Sequence, residues 1–550
     1  MNKFVVFTLY FGITSIAFTE SLFIYKLNYR VTPEPTISAP DYDGIVFVSS
    51  QQPINDSVIP EAISNAISKA AKVNGALYKE GGVVEVDGIP AGRLVYAPVG
   101  PLTDYHDVRS YGEAAKKAIE KALKANIKAP LLILHPNSNP KFPHAELVTL
   151  LGALEALYVN IQYREDCPDK CPKVKNLGVW GPEYTTTVDI VNMAANLEDG
   201  RIVARDITDA DPERMSPLRV EEYIREVFPP ESGVNISVIS DPEQLKKEFP
   251  LFAAVNRAAS TVERHAGRII FLTYESNTPV VDTVLLVGKG VTYDTGGADI
   301  KTQGYMASMS RDKGGAAAVA GFMKVLAETR VGGLKVVAAL CLTRNSVGEN
   351  SFVADEVITA RSGKRVRVVN TDAEGRMVMA DLLCYMKELV EKGNVENPHI
   401  ISVATLTGHA LSSVGPGYSI VMNNGPAAKS AEGKIFKEYG EKIGEPLEVS
   451  TLRKEDFDVY KGTAQGDDLV NSNKNSRETG RGHQGPAAFL IMASGLDKHE
   501  LDSAVPIKFS HWDIAGSVGD LPGPATGAPV LALANRFIMR LEDPAEEGFH

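Results

Sequence analysis

Apolar and polar positions along this chain follow two periods. Short apolar or alternating runs read as strands at Gly44 to Ser49, Val83 to Val86, Arg93 to Tyr96 and Leu131 to Leu134. Asp87-Gly88 supplies a hairpin-type turn between the second and third of these. Longer stretches with helical spacing fall between them, at Pro60 to Lys72, Gly112 to Ala125 and Ala145 to Tyr158. The alternation resumes at Ser216. Pro217 to Phe228 is helical, Thr283 to Val287, Lys335 to Leu342 and Ile400 to Thr405 are apolar strands, and Gly314 to Thr329 is an Ala-rich helix. Strands alternating with helices predict an α/β protein. The pattern divides into a smaller N-terminal α/β domain, residues 21–205, and a larger C-terminal domain, residues 206–550. The larger domain is expected to carry a central, mostly parallel or mixed sheet flanked by helices. Residues near 195–217 read as the bridge between the two.

The first 20 residues stand apart. Lys3 gives a positive start, Phe4 to Phe18 is apolar, and Ser15-Ile16-Ala17 offers a small-x-small cleavage pattern. This predicts a secretory signal peptide and an extracellular protein, with an uncleaved signal anchor as the alternative. The apolar run is shorter than the roughly 20 residues needed to span a bilayer, so no stable membrane insertion is expected. Secretion suits the sequons Asn55-Asp56-Ser57 and Asn235-Ile236-Ser237, which make Asn55 and Asn235 candidate glycosylation sites. It also allows a local disulfide between Cys167 and Cys171, whereas Cys341 and Cys384 lie in apolar runs and read as buried thiols. The chain has 550 residues, 44% of them apolar and 23% charged, enough for a large core. A net charge of −12 argues against a nucleic-acid partner.

Candidate chemistry concentrates in two stretches. Asn370-Thr371-Asp372-Ala373-Glu374-Gly375-Arg376 lies between a strand-like run, Arg365 to Val369, and a helix-like run, Met377 to Val390. In an extended segment Asp372 and Glu374 would point the same way, and two hard anionic ligands beside Arg376 suit a metal site. A solvated acidic turn capping the helix accounts for the same residues. The second stretch, Gly288-Lys289-Gly290-Val291-Thr292-Tyr293-Asp294-Thr295-Gly296-Gly297, follows an apolar strand and leads to Lys301 and Arg311-Asp312-Lys313. On spacing alone, Lys289 reads as a salt-bridge partner of Asp294. Neither a His-Glu-x-x-His helix nor a Gly-x-Ser-x-Gly elbow is present, which weakens other hydrolase readings.

Together these residues resemble the leucyl aminopeptidase family, the M17 di-zinc exopeptidases, and in particular its nematode aminopeptidase-like branch. The likeness extends to Ala404-Thr405-Leu406-Thr407-Gly408, Asp513-Ile514-Ala515-Gly516 and Ala525-Thr526-Gly527, and covers about residues 200–540. It implies hydrolysis of N-terminal residues from peptides, with a leucine-type preference, through two divalent ions: zinc first, manganese or cobalt as alternatives. By resemblance, Asp294 and Glu374 are shared between the ions, Lys289 and Asp312 complete one site, and Asp372 completes the other. Lys301 then stabilises the oxyanion and Arg376 holds a bicarbonate acting as general base. Met309 matches the S1 pocket, and Leu406 matches a backbone position that binds substrate. The family also implies a homo-oligomer, a hexamer first and a tetramer as the alternative.

Three positions depart from the family's pattern. Lys313 stands where methionine is usual, Asp299 where serine is common, and His409 where a small residue follows Thr-Gly. Asp299 and Lys301, two apart, are placed to pair, which would weaken the cation offered to the intermediate. These departures and the secretory start leave a second reading open: a secreted glycoprotein that uses the fold as an immunomodulator or carrier, with weak or no peptidase activity.

Overall fold

The computed structural model of the chain describes residues 22–23, 29–50, 58–136, 139–393, 395–472 and 480–540. The expected signal peptide and Asn55 lie outside the described residues. In the N-terminal part, seven strands form one sheet: β1 (Leu22–Phe23), β2 (Arg30–Pro33), β3 (Gly44–Ser49), β4 (Gly82–Glu85), β5 (Arg93–Pro98), β6 (Pro130–Ile133) and β7 (Asn176–Trp180), in the order β1-β2-β7-β6-β3-β5-β4. Its middle is parallel, with β1 and β4 antiparallel at the edges. The helices Arg109–Lys124 and Ala145–Leu157 cover it. They approach closely because two glycines meet, and a Cβ on Gly152 would stand 2.1 Å from the Gly112 carbonyl oxygen.

The larger part follows with β8 (Asn235–Ile239), β9 (Arg268–Glu275), β10 (Asp282–Asp294), β11 (Leu334–Asn345), the short β12 (Val357–Thr359) and β13 (Arg365–Arg367), β14 (Pro398–Ala404), β15 (Ser419–Asn423), β16 (Leu447–Val449), β17 (Leu469–Val470) and β18 (Lys508–Asp513). Eight of them make a mixed sheet in the order β16-β15-β18-β14-β10-β11-β9-β8. Its core, β18-β14-β10-β11, is parallel and almost wholly buried, with apolar runs such as Val284 to Val287 and Val336 to Leu342 broken by polar residues toward the strand ends. The Ala-rich helix Gly314–Thr329 covers one face, and the helices Glu374–Glu391 and Gln484–Ser494 cover the other. Three apolar strand cores were legible in the sequence, but β10 runs seven residues past the expected Val287, to Asp294.

One 26-residue helix, Tyr184–Asp209, joins the parts, and the boundary expected at 205/206 falls inside it. Its second half is buried, including Glu198, Arg201, Arg205 and Asp206. Arg201 and Arg205 both engage Glu198, and Arg164 engages Asp206 at 2.6 Å, so buried charges there are paired. The four cysteines are free thiols, and the bridge allowed between Cys167 and Cys171 is not formed. Asn235 is exposed on β8, at the sheet's edge. No helix among the described residues is long and apolar enough to cross a membrane.

Candidate metal centre

The centre is assembled at the carboxyl ends of the parallel strands, where open α/β sheets place their ligands. Lys289 and Asp294 both belong to β10, five residues apart, and in a regular strand they would face opposite sides. A bulge corrects this. Val291 pairs with Thr343 and Asp294 with Asn345, so three steps of β10 match two of β11. The extra residue returns Asp294 to the side of Lys289. Asp312 comes from a short turn, Met309–Arg311, that leads into the helix Gly314–Thr329. A Cβ on Gly315 would lie 2.1 Å from the Val403 carbonyl oxygen, so glycine lets this helix start seat on β14.

Asp372 and Glu374 do converge, but not by strand alternation. The strand expected through Val369 ends at Arg367, Asp372 sits in a turn, and Glu374 opens the helix Glu374–Glu391. A carboxylate at a helix N-terminus is electrostatically favoured. Gly375 follows because a Cβ there would stand 2.5 Å from Lys289 Cε.

All four acidic groups meet around two lysines. Lys289 Nζ lies 2.7 Å from Asp312 Oδ1 and 2.9 Å from Glu374 Oε1, and donates to the Thr405 carbonyl at 3.2 Å. The Lys289–Asp294 bridge suggested by spacing is replaced by these contacts. Lys301 Nζ lies 2.8 Å from Asp294 Oδ2 and also contacts Asp372. Asp294, Asp312 and Glu374 each bring a carboxylate oxygen within 4.8 Å of the others. Asp372 closes the group on its open side, with 34% of its side chain exposed.

Crowding of negative charge shows in the proton affinities. Burial, then Asp294 and Glu374, push Asp372 up to about 7. Burial and Asp294 raise Glu374, and burial raises Asp312 well above the carboxylate range despite Lys289. Burial opposes the charge of Lys289, but Asp312, Glu374 and Asp294 outweigh it and hold the amine protonated. Asp312 Oδ2 is buried without a hydrogen-bond partner. Buried hard oxygen donors in excess of their lysine partners fit divalent cations.

The remaining predicted residues surround this group. Arg376 is buried behind it, its Nη1 donating to Tyr460 Oη at 3.0 Å and the Asn471 carbonyl at 2.9 Å, while Nε has no partner. Met309, half-buried, begins the turn before Asp312. Leu406 donates its amide to Asp513 Oδ1 at 3.2 Å. Sequence reasoning missed the side chains that orient the carboxylates: Thr405 Oγ1 donates to Asp312 Oδ1 at 2.8 Å, and Asn345 Nδ2 donates to Asp294 Oδ1 at 2.8 Å. Position at a strand's end was the available signal.

The three departures each make contacts of their own, and for Asp299 the contact differs from the expected one. Asp299 does not pair with Lys301. Its Oδ2 accepts the Thr371 amide at 2.7 Å, and its own amide donates to Thr371 Oγ1 at 2.8 Å, stapling the 296–299 turn to the Asp372 turn. Lys313 is fully buried and donates to the Ala210 carbonyl at 3.0 Å and to that of Ser310. His409 Nδ1 meets His483 Nδ1 at 2.7 Å, linking two helix starts.

Residues 202–534 match the model of the cytosol aminopeptidase family, catalytic domain. The chain belongs to the cytosol aminopeptidase family. This membership makes it a metal-dependent aminopeptidase by class. A Caenorhabditis elegans protein carrying an aminopeptidase name is 40% identical over 521 residues, 93% of this chain and 98% of that protein. The chloroplastic leucine aminopeptidase of Solanum tuberosum is 30% identical over 340 residues, 60% of this chain and 56% of its own. Among solved structures, apo leucyl aminopeptidase from Trypanosoma cruzi superposes with a TM-score of 0.73 at 20% identity, covering 90% of this chain and 92% of that one. The bottromycin maturation enzyme in complex with Mn also gives 0.73 at 20% identity, covering 90% and 98%. At that identity the likeness concerns this aminopeptidase's fold.

Proposed function

We propose that the chain removes N-terminal residues, with a leucine-type preference, from peptides through a two-metal centre. The observation that carries this reading is the convergence of Asp294, Asp312, Asp372 and Glu374 on two lysines, with a buried carboxylate oxygen left unpartnered. Lys289, Asp312, Asp294 and Glu374 would hold one divalent ion, and Asp294, Glu374 and Asp372 the other. Zinc suits this donor set, with manganese or cobalt as alternatives. Bound there, such ions acidify water and polarise a peptide carbonyl at neutral pH. Lys289 serves that state as a free amine, which the charge of the ions favours. Asp312 receives the substrate's free α-amine, which restricts cleavage to the first peptide bond.

Lys301 is placed at the open side beside Asp372 and donates to the oxyanion as the carbonyl becomes tetrahedral. The unpartnered Nε of buried Arg376 is the donor left for a bicarbonate that takes the proton. Met309 and the backbone at Leu406 border the bound residue. Secretion, glycosylation at Asn55 and Asn235, and assembly into a hexamer complete the reading.

Purified chain is assayed on aminoacyl-p-nitroanilides, with and without chelator, followed by zinc, manganese or cobalt. Chelator-sensitive turnover restored by a divalent ion is expected. No turnover with any ion favours the carrier reading.

A further inference from the structure

Asn345 is the last residue of β11, fully buried, and pairs in register with Asp294 just past the bulge. Its Nδ2 faces three acceptors: Asp294 Oδ1 at 2.8 Å, the Thr371 carbonyl at 3.1 Å and Glu374 Oε2 at 3.5 Å. Three acceptors around one end of the amide require that end to be the NH2 group. The other end, Oδ1, is buried without a partner and abuts Gly297, where a Cβ would stand 2.8 Å away. The residue's main chain is also held, because the Thr295 amide and hydroxyl both donate to the Asn345 carbonyl, at 3.1 and 2.7 Å. Side chain and backbone are therefore clamped between β10 and the Asp372 turn.

We propose that Asn345 is a positioning residue for the carboxylate centre, setting which oxygen of Asp294 faces the ions. Asp294 Oδ1 is occupied by Asn345 Nδ2 and by the Gly296 amide at 2.9 Å, leaving Oδ2 as the oxygen turned toward Lys301. The same amide group holds the Thr371 carbonyl, one residue before Asp372. One side chain thus fixes a residue of β10 and the turn preceding Glu374 in a single frame. Groups that orient the ligands of a metal in this way typically contribute 10- to 100-fold to its affinity.

The inference rests on the two-metal reading, and the experiment separates the two. Zinc affinity of the intact chain is measured by competition with a chromophoric chelator, alongside Asn345→Leu, Asn345→Ala and Thr343→Val. Thr343 is the control, because it lies on the same strand as Asn345 and its buried hydroxyl donates to Asn256 Oδ1, an amide oxygen on the helix Pro250–Ala259, at 3.3 Å. The expected result is a loss of about 10- to 100-fold in affinity for both Asn345 variants and less than 2-fold for Thr343→Val. Should Asn345→Leu fail to fold, Asn345→Ala carries the comparison. Parental affinity in the Asn345 variants, or an equal loss in Thr343→Val, overturns the positioning role while leaving the metal reading intact. A parent chain that binds no zinc, manganese or cobalt overturns that reading and this inference with it.

Discussion

Asp299→Ala distinguishes two accounts that predict opposite signs. If Asp299 neutralised Lys301, its removal would free a cation and raise turnover. The structure instead has Asp299 Oδ2 accepting the amide of Thr371, a residue with no exposed surface, at 2.7 Å. A hydrogen bond to a charged acceptor contributes about 1.5–3 kcal/mol. Asp299 is itself exposed, and water can replace part of that contact, so about 1–1.5 kcal/mol is the fitting size. In a chain this large that lowers the melting midpoint by no more than about 4 °C. The catalytic effect is larger, because Thr371 precedes Asp372 and small misplacements at a reacting centre are costly. A fall of about 10-fold in kcat is expected. Thermal unfolding and kinetics on Leu-p-nitroanilide read both quantities. Unchanged stability with increased kcat would refute the staple and restore the pairing of Asp299 with Lys301.

Lys301→Met should lower kcat by about 10²–10³-fold with little change in KM, since an oxyanion donor acts only in the transition state; steady-state kinetics checks this. Gly375→Ala places a Cβ 2.5 Å from Lys289 Cε, and should cost about 1–3 kcal/mol in denaturant stability as well as most of the activity. Lys313 is pushed down from 10.5 to about 7, chiefly by burial. Between those values the unfolded chain binds a proton that the folded chain does not, so stability rises with pH from about 7 toward 10.5. Lys313→Met should therefore be more stable than the parent at pH 7, with the difference shrinking as pH rises, measured by urea unfolding across that range.

The elements read from the sequence were legible because each has a single period. Gly44–Ser49 and Gly314–Thr329 match their predicted limits, and the apolar cores of β11 and β14 lie where continuous apolar runs placed them. What the pattern could not show was the end of β10, where polar residues Lys289, Thr292 and Asp294 break the apolar run while the strand continues. The bulge between Val291 and Asp294 has no local signature, because it depends on pairing with β11. Of the site, the ligand candidates were visible through their likeness to a family and their places near strand ends. Asn345, the Thr405 hydroxyl and the Asp299–Thr371 staple were hidden, because each joins residues 51 to 93 positions apart. The expected geometry of Asp372 and Glu374 reached the right pocket by the wrong route, since a turn into a helix replaced the extended segment.

The central claim is that these four carboxylates and Lys289 gather a pair of divalent ions, and counting ions tests it most directly. Native mass spectrometry of the zinc-loaded chain should record two ions per chain, one in Asp372→Asn and none firmly held in Asp294→Ala combined with Glu374→Gln. A parent chain that never holds more than one ion, or a double variant that still holds two, would contradict the account.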